Sequence, residues 1–330
     1  MLKIIVIGLG PIGINAAKAV LDDPRMKLAG LVDLDPNKIG KPLHEITGDS
    51  PQSRVKIVGD ISTACKNGAD VAIVTTTSYF DKIAPTIRQC IAQRLHVVSS
   101  CEEMSFPALR HKSLAAAIDA QAKKAKVALV GTGVNPGFVM DLLPLVLSSM
   151  VTEVSGVKVI RRLDAGKRRK PLQAKVGATM SPAQFKALAK AGKIGHLGIG
   201  ESVAIIAAGL GRAVKLKDLR ITLEPVIADR KMDSLLGKIE VGMVCGMRNT
   251  ASWRGKDLRI ALDLTMAVGT LDSQDRVELS GPVPLCAIVP GSTPGDSATV
   301  AALINCARLL PKVSPGLKTM LDLPPASCCR

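Results

Sequence analysis

Apolar and polar positions in the first 133 residues alternate between two patterns. Short runs rich in β-branched residues are separated by longer segments with apolar residues at helical spacing. The short runs predict buried β-strands and the longer segments predict helices. The strands are expected at 3–7, 27–33, 54–60, 70–77, 95–100 and 126–133, and the helices at 11–21, 83–93 and 108–124. Such alternation indicates a parallel, doubly wound sheet that binds its ligand at the carboxyl ends of the strands.

The pattern changes in the second half of the chain. Long alternating or β-rich segments follow one another there, which is typical of an antiparallel sheet with helices on one face. The strands are expected at 154–162, 219–228, 237–253, 258–268 and 275–290, and the helices at 182–191 and 201–210. A final amphipathic helix is expected at 295–310, packed back on the first domain.

These patterns predict an α/β fold class. An N-terminal Rossmann domain with a doubly wound parallel sheet is expected at residues 1–133, and the C-terminal segment 295–330 is expected to pack against it. A second, α+β domain with an antiparallel sheet is expected at 134–294, where it would serve substrate binding and dimerisation. A chain of 330 residues is long enough for both domains.

The first strand leads into Gly8-x-Gly10-x-x-Gly13, and Asp33 follows 20 residues after Gly13. In dinucleotide-binding domains such glycines permit a tight turn, the helix N-terminus holds the pyrophosphate, and the acid binds the ribose. Proline suits the first helical turn, where its missing N–H is not needed. The residues predicted to bind the cofactor here are Gly8, Gly10, Pro11, Ile12, Gly13 and Asp33.

Asp33 also bears on which cofactor binds. A carboxylate at this point accepts hydrogen bonds from the ribose hydroxyls and repels a 2′-phosphate, so NAD is favoured over NADP. Lys38 and Lys41 lie just beyond and weaken that preference. The remaining residues expected at the cofactor are Thr75, Thr76, Thr77 and Asn135. Threonines at a strand end can instead satisfy backbone groups.

Two adjacent acids, Glu102 and Glu103, follow the strand at 95–100. Carboxylates are costly beside a buried strand unless they are used or paired. Strand ends in this fold adjoin the ligand cleft, so we predict that one glutamate is catalytic and the other supports it or pairs with a basic group. Side chains alternate along extended chain, which favours Glu102 as the base. Two structural alternatives stay open: one glutamate caps a helix near Pro107, or it is a solvated loop charge.

A basic segment and a glycine-flanked histidine are the candidate substrate contacts. Residues 160–175 contain seven lysines and arginines, which form either a solvated loop or a site for an anionic group of the substrate. The arginines expected to bind a carboxylate are Arg161, Arg168 and Arg169. His196, within GHLGIGES, is a candidate for substrate contact or acid–base catalysis.

Composition narrows the class of protein. The net charge of +16 suits an enzyme of anionic ligands, and aromatic residues at 2% argue against a nucleic-acid partner because stacking platforms are nearly absent. Eight cysteines without CxxC or Cys/His ligand spacing predict reduced thiols and no metal site. No apolar run approaches the length of a membrane span, so a cytoplasmic protein is expected.

Six segments spread along the chain form a distinctive set. They read GLVDLDPNKIGK, CEEMSFP, GTGVNPGFVMDLLP, RRKPLQAKVG, GHLGIGES and PGDSATVAALIN. Together they resemble the 2,4-diaminopentanoate dehydrogenases and the related native amine dehydrogenases, which share a dihydrodipicolinate-reductase-like fold. The similarity runs from Ile4 to about Pro325. The paired-histidine motif of dihydrodipicolinate reductase itself has no counterpart in RRLDAGKRRKP.

The resemblance implies an NAD(P)-dependent, reversible oxidative deamination of a small amine or diamino acid such as 2,4-diaminopentanoate, carried out by a homodimer. It also implies that a glutamate of the CEE segment transfers protons to and from the amine and water. Two alternatives stay open: an imine or semialdehyde reductase on the same fold, and a non-catalytic cofactor-binding regulator.

Overall fold

The computed structural model describes residues 1–48 and 53–328. The chain divides into two compact units. The first unit combines Met1–Phe138 with the segment that begins at Pro294, and the second unit is Val139–Thr293. Within the described ranges, no helix is both long enough and apolar enough to cross a lipid bilayer.

The first unit is built on a sheet of seven parallel strands. These strands are β1 (Leu2–Ile7), β2 (Met26–Val32), β3 (Ile57–Val58), β4 (Val71–Val74), β5 (His96–Ser99), β6 (Ala128–Gly131) and β15 (Gly316–Lys318). Their spatial order is β15-β6-β5-β4-β1-β2-β3. The three central residues of β1, Ile4, Ile5 and Val6, are fully buried, as strands of a helix-covered parallel sheet should be.

Helices alternate with these strands. They are α1 (Pro11–Asp22), α2 (Leu43–Thr47), α3 (Ile61–Ala64), α4 (Phe80–Ala92), α5 (Lys112–Ala125) and α10 (Gly295–Leu309). This arrangement confirms the predicted α/β class with a Rossmann-type parallel sheet. The short strand β15 was not expected, because three residues carry no periodic signal.

Helix α10 belongs to the first unit, where it packs on α1 and β5. An ion pair fastens it: Nη2 of Arg308 lies 2.7 Å from Oδ2 of Asp23, at the end of α1. Hydrogen bonds from Arg25, together with the nearby charge of Arg308, outweigh burial and hold the pKa of Asp23 well below its ordinary value. The carboxylate is therefore ionised and joins the two helix ends.

The second unit contains a six-stranded sheet and a separate hairpin. The sheet strands are β7 (Gly156–Asp164), β8 (Arg220–Ile227), β11 (Val244–Arg254), β12 (Arg259–Ala267), β13 (Gln274–Ser280) and β14 (Leu285–Pro290), and the hairpin strands are β9 (Met232–Ser234) and β10 (Gly237–Ile239). The sheet order is β14-β13-β7-β12-β11-β8. Two predicted strands, at 237–253 and at 275–290, are thus each divided into two. The first division lies at a turn that includes Gly242, where φ is +87°.

The sheet is mixed, so the antiparallel prediction is wrong for one pair. Strands β7 and β12 run parallel in the middle of the sheet, and the other neighbours are antiparallel. A parallel pair needs a long crossover connection, and nearly a hundred residues with several helices separate β7 from β12. Apolar periodicity predicts which face of a strand is buried but carries no information on its direction.

The second unit also contains four helices within the described residues. They are α6 (Leu142–Ser148), α7 (Lys170–Lys175), α8 (Pro182–Lys190) and α9 (Ile199–Gly209). Helix α9 is buried from Ile199 to Ala207, including two polar residues of its first turn, Glu201 and Ser202. The Ser202 hydroxyl donates to Oδ2 of Asp141 at 2.7 Å, which satisfies one of these polar groups.

A buried ion pair joins two neighbouring strands of the same sheet. Nη1 of Arg161, on β7, donates to both carboxylate oxygens of Asp275, on β13, at 2.7 and 2.8 Å. Nη2 of Arg161 donates to the carbonyl oxygen of Thr293, and Asp275 accepts further bonds from Ser292 Oγ and Thr293 N. Arg161 is 2% exposed and Asp275 1%. The pair therefore ties the end of the unit to its central strand.

Replacement of Arg161 by Met is expected to lower the free energy of unfolding by about 3–5 kcal/mol, because it leaves Asp275 buried without its counter-ion. Arg162→Met is the matched control: its partner Asp272 is exposed, and such surface pairs contribute about 0–1 kcal/mol. Urea unfolding followed by the fluorescence of Trp253, the single tryptophan, reports on this unit. Equal losses in the two variants would contradict the assignment.

Candidate active site

The turn between β1 and α1 is unusually tight. A Cβ at position 13 would lie 1.9 Å from the carbonyl oxygen of Gly8 and 2.6 Å from Oγ1 of Thr75, so only glycine fits. Gly8 has a φ of +88°, which also favours glycine. Nothing lies within 4 Å of a Cβ built on Gly10. Other atoms of the protein thus pack closely against Gly8 and Gly13, whereas the space beside Gly10 is open.

An open glycine before a helix is suited to a phosphate group. Helix α1 begins at Pro11, with Gly10 at its N-cap and no side-chain cap. The first N–H groups of a helix lack partners within it and point outward, and the helix dipole favours an anion there. The open space at Gly10 and the start of α1 therefore fit the pyrophosphate of a dinucleotide. Contact of Gly10, Ile12 and Gly13 with that group stays a prediction.

Asp33 comes directly after β2 and lies beside this turn. Its Oδ2 accepts a hydrogen bond from the backbone N–H of Leu9 at 2.7 Å, and its Oδ1 accepts one from the N–H of Asp35 at 2.9 Å. Nζ of Lys38 lies 3.1 Å from Oδ2. Burial opposes ionisation, but the bonds from Asp35, Leu9 and Lys38 outweigh it and hold the pKa of Asp33 below its ordinary value.

The threonines after β4 have different surroundings. The Thr75 hydroxyl donates to the carbonyl oxygen of Gly8 at 2.7 Å, so this residue fastens the glycine turn to the neighbouring strand. Thr76 is exposed, and Oγ1 of Thr77 accepts a bond from the N–H of Tyr79. Asn135 is buried in the loop after β6. Their contact with a cofactor stays a prediction.

The two adjacent glutamates have distinct environments. They begin a 3₁₀ turn, Glu102–Ser105, which starts three residues after the end of β5, so the extended segment assumed from the sequence is wrong. Glu103 is buried, and its Oε2 accepts a hydrogen bond from the N–H of Phe80 at 2.8 Å. It therefore caps helix α4, whereas the sequence suggested a cap near Pro107.

Two basic side chains complete the surroundings of Glu103. Nε2 of His111 lies 3.0 Å from its Oε2, and Nε of Arg110 lies 3.7 Å from its Oε1. Asp81 is close as well: a carboxylate oxygen of Asp81, a carboxylate oxygen of Glu103 and a ring nitrogen of His111 lie within 4.8 Å of one another. Because a helix N–H and a histidine already engage Glu103, we assign this cluster to charge pairing.

Glu102 opens the same 3₁₀ turn and is partly exposed. Strands β5, β4 and β1 are parallel neighbours, so their carboxyl ends, and with them Glu102 and the glycine turn, lie along one edge of the sheet. The preceding thiol is inert, because burial raises the pKa of Cys101 to about 12. Of the two adjacent glutamates, Glu102 is therefore the more accessible at the carboxyl edge of the sheet.

The second unit holds the other candidates. Arg161 was predicted to bind the substrate, and the structure corrects this: its guanidinium is buried against Asp275 and the Thr293 carbonyl. Arg168 and Arg169 are partly exposed around the start of α7, and His196 is partly exposed in the loop before α9. Sequence reasoning missed Asp141, the buried acid bonded to Ser202.

Comparison with known proteins identifies the family. A family model described as the 2,4-diaminopentanoate dehydrogenase C-terminal domain matches residues 138–330, more than half of the chain. The chain belongs to the 2,4-diaminopentanoate dehydrogenase family. The resemblance stated from six sequence segments is thereby confirmed, and so, at the level of the family, is the prediction of an amine dehydrogenase enzyme.

Individual relatives extend over nearly the full length. A 2,4-diaminopentanoate dehydrogenase from Acetoanaerobium sticklandii is 28% identical over 98% of this chain and 93% of its own. The structure of an amine dehydrogenase from Mycobacterium smegmatis matches with a TM-score of 0.86 at 20% identity, covering 99% of this chain and 97% of that one. An Agrobacterium radiobacter oxidoreductase solved with NAD⁺, L-tartaric acid and magnesium matches with a TM-score of 0.56 at 15% identity, over 97% and 93% of the chains.

Replacement of Asp33 by Ser is expected to weaken NADH binding by about tenfold or more, because a charged hydrogen-bond acceptor of the ribose is lost. NADPH binding should change little, because the loss of the ribose contact is offset by the loss of a negative charge near the 2′-phosphate. Asp35→Ser is the matched control, because Asp35 bonds mainly to Asn37. Titration of cofactor fluorescence measures both dissociation constants. A larger effect from Asp35→Ser would move the ribose contact to Asp35.

Proposed function

We propose that this protein is an NAD(P)-dependent amine dehydrogenase that deaminates a small diamino acid, such as 2,4-diaminopentanoate, to the corresponding ketone and ammonia. The observation that carries the proposal is the difference between the two glutamates at the ligand edge. Glu103 is buried among a helix N-terminus and two basic side chains, whereas Glu102 is partly exposed. The 28% identical relative named for this activity supports the substrate class.

The cofactor site is proposed at the glycine turn. Gly10, Ile12 and Gly13 would hold the pyrophosphate, Asp33 would bind the adenosine ribose, and Thr76 and Thr77 would lie toward the nicotinamide. A bound nicotinamide accepts a hydride from the carbon that bears the amine. The Agrobacterium oxidoreductase, which shares the fold, was solved with NAD⁺, and this supports a nicotinamide cofactor.

Glu102 is proposed as the proton-transfer group. The amine must lose a proton before its carbon can give up a hydride, and the water that attacks the resulting iminium carbon must lose another. A partly exposed carboxylate can accept the first proton, release it to solvent, and then accept the second, which it passes to the departing ammonia. Glu103 supports it by fixing the 3₁₀ turn to the start of α4. Glu103 acts as a positioning residue.

Arg168, Arg169 and His196 are proposed as substrate contacts in the second unit. Their side chains are partly exposed, and arginine forks match carboxylates. A homodimer in the cytoplasm is also proposed. The two edges of the six-stranded sheet support self-association, because each edge strand exposes apolar side chains: Ile221 and Ile227 on β8, and Ile288 and Val289 on β14.

Replacement of Glu102 by Gln is expected to lower amine-dependent turnover by about 10²–10⁴-fold, since the amide keeps shape but cannot accept a proton. NADH affinity should hardly change. Glu103→Gln is the matched variant: it should lower the melting temperature by loosening the cap of α4 and reduce turnover far less. Assays of NAD and NADP reduction with a panel of amines and amino acids measure both. Retained turnover in Glu102→Gln would exclude it as the base and make His196 the next candidate.

Replacement of Arg168 or Arg169 by Ala is expected to lower kcat/KM for an amino acid substrate. The loss should correspond to about 2–5 kcal/mol of transition-state stabilisation, because the substrate carboxylate loses its charge partner in a desolvated site. The matching amine without the carboxylate should be affected much less. Lys167→Ala, an exposed cation of the same loop, is the control. Equal losses for the acid and the amine would reject carboxylate recognition.

A further inference from the structure

Lys38 occupies an unusual place in the cofactor site. Its ammonium group lies 3.1 Å from Oδ2 of Asp33 and 3.1 Å from the carbonyl oxygen of Leu9, so it bridges the acid after β2 and the glycine turn. Its side chain is 26% exposed, and that of Asp33 is 13% exposed. The positive charge is therefore held in place at the surface of the site where the ribose of a dinucleotide is expected.

The hydrogen-bond capacity of the two groups is unequal. Asp33 already accepts from Leu9 N, Asp35 N and Lys38, which uses most of a carboxylate's acceptor positions. An ammonium group has three donors, and two of those on Lys38 are engaged within hydrogen-bond distance. The Oδ2 of Asp35, at 3.9 Å, lies beyond that distance. Lys38 thus keeps a donor for a further anionic group.

The charge at this point bears on the 2′-phosphate of NADP. A lone carboxylate in contact with the ribose repels that phosphate. Here a cation 3.1 Å from the carboxylate compensates its charge, and a phosphate that approaches Asp33 also approaches Lys38. Lysine is a good point-charge partner for a phosphate.

We infer that Lys38 is the residue that admits NADP(H) to this site, so that the protein binds NADH and NADPH with similar affinity even though Asp33 follows β2. The ammonium group serves as counter-ion of the 2′-phosphate, and Asp33 binds a ribose hydroxyl of NADH through its remaining acceptor position. This inference rests on the proposed cofactor site at the glycine turn. It assigns to Lys38 the relative affinity of that site for NADPH and NADH.

Direct binding tests the inference without catalysis. The fluorescence of NADH and of NADPH is titrated with the full-length protein and with Lys38→Met, Lys38→Arg and Lys41→Met. The wild type should bind the two cofactors within about tenfold of each other. Lys38→Met should raise the NADPH dissociation constant by about 10–100-fold and that of NADH by less than about threefold. Lys38→Arg keeps the charge and should retain NADPH within about fivefold.

Lys41 provides the matched control. It is an exposed lysine three residues along the chain, and its loss removes the same net charge. Lys41→Met should leave the ratio of the two dissociation constants unchanged. Raising the salt concentration should weaken NADPH binding more than NADH binding in the wild type, and this difference should vanish in Lys38→Met.

The possible outcomes separate the inference from the proposed function. If the wild type binds NADH but its dissociation constant for NADPH is more than about 100-fold higher, the inference is wrong and the proposed cofactor site still stands. Equal weakening of both cofactors in Lys38→Met would overturn it as well, because Lys38 would then only support the turn through the Leu9 carbonyl. Failure of the wild type to bind either cofactor would overturn the proposed site, and the inference with it.

Discussion

The first unit depends on how closely helix α1 approaches the strand before it. A Cβ at position 13 would overlap the carbonyl oxygen of Gly8, and the Thr75 hydroxyl holds that same oxygen from the neighbouring strand. This packing fixes the N-terminus of α1 at the carboxyl edge of the sheet. Asp33 is drawn to the same point by its bond from Leu9 N. The proposed positions of the pyrophosphate and the ribose of a dinucleotide depend on that one contact.

The same edge explains why two adjacent carboxylates can have separate roles. The 3₁₀ turn after β5 directs Glu103 inward, where the first N–H of α4, His111 and Arg110 satisfy its charge. Glu102 begins the turn and is partly exposed. A buried carboxylate with fixed partners is well suited to hold structure, and an accessible one is suited to exchange protons.

The sequence predicted features that depend on residues close together in the chain, and it missed features that depend on residues far apart. The glycine turn, Pro11 and Asp33 were predictable because they lie within one contiguous strand–helix–strand segment. The role of Arg161 was not, because its partner Asp275 is 114 residues away and only the fold brings them together. The parallel pairing of β7 with β12 was missed because periodicity does not encode direction. The sequence shows that Lys38 lies five residues after Asp33, but it does not show that the ammonium group contacts the carboxylate.

Direct hydride transfer is the chemistry that the carboxyl edge is proposed to serve, and isotopic labelling measures it. The proposed diamino acid substrate is prepared with deuterium on the carbon that loses its amino group and is incubated with the protein and oxidised cofactor. We expect deuterium in the reduced nicotinamide ring and slower turnover than with the unlabelled substrate. Reduced cofactor without deuterium, or ketone formed without reduction of the cofactor, would contradict this chemistry.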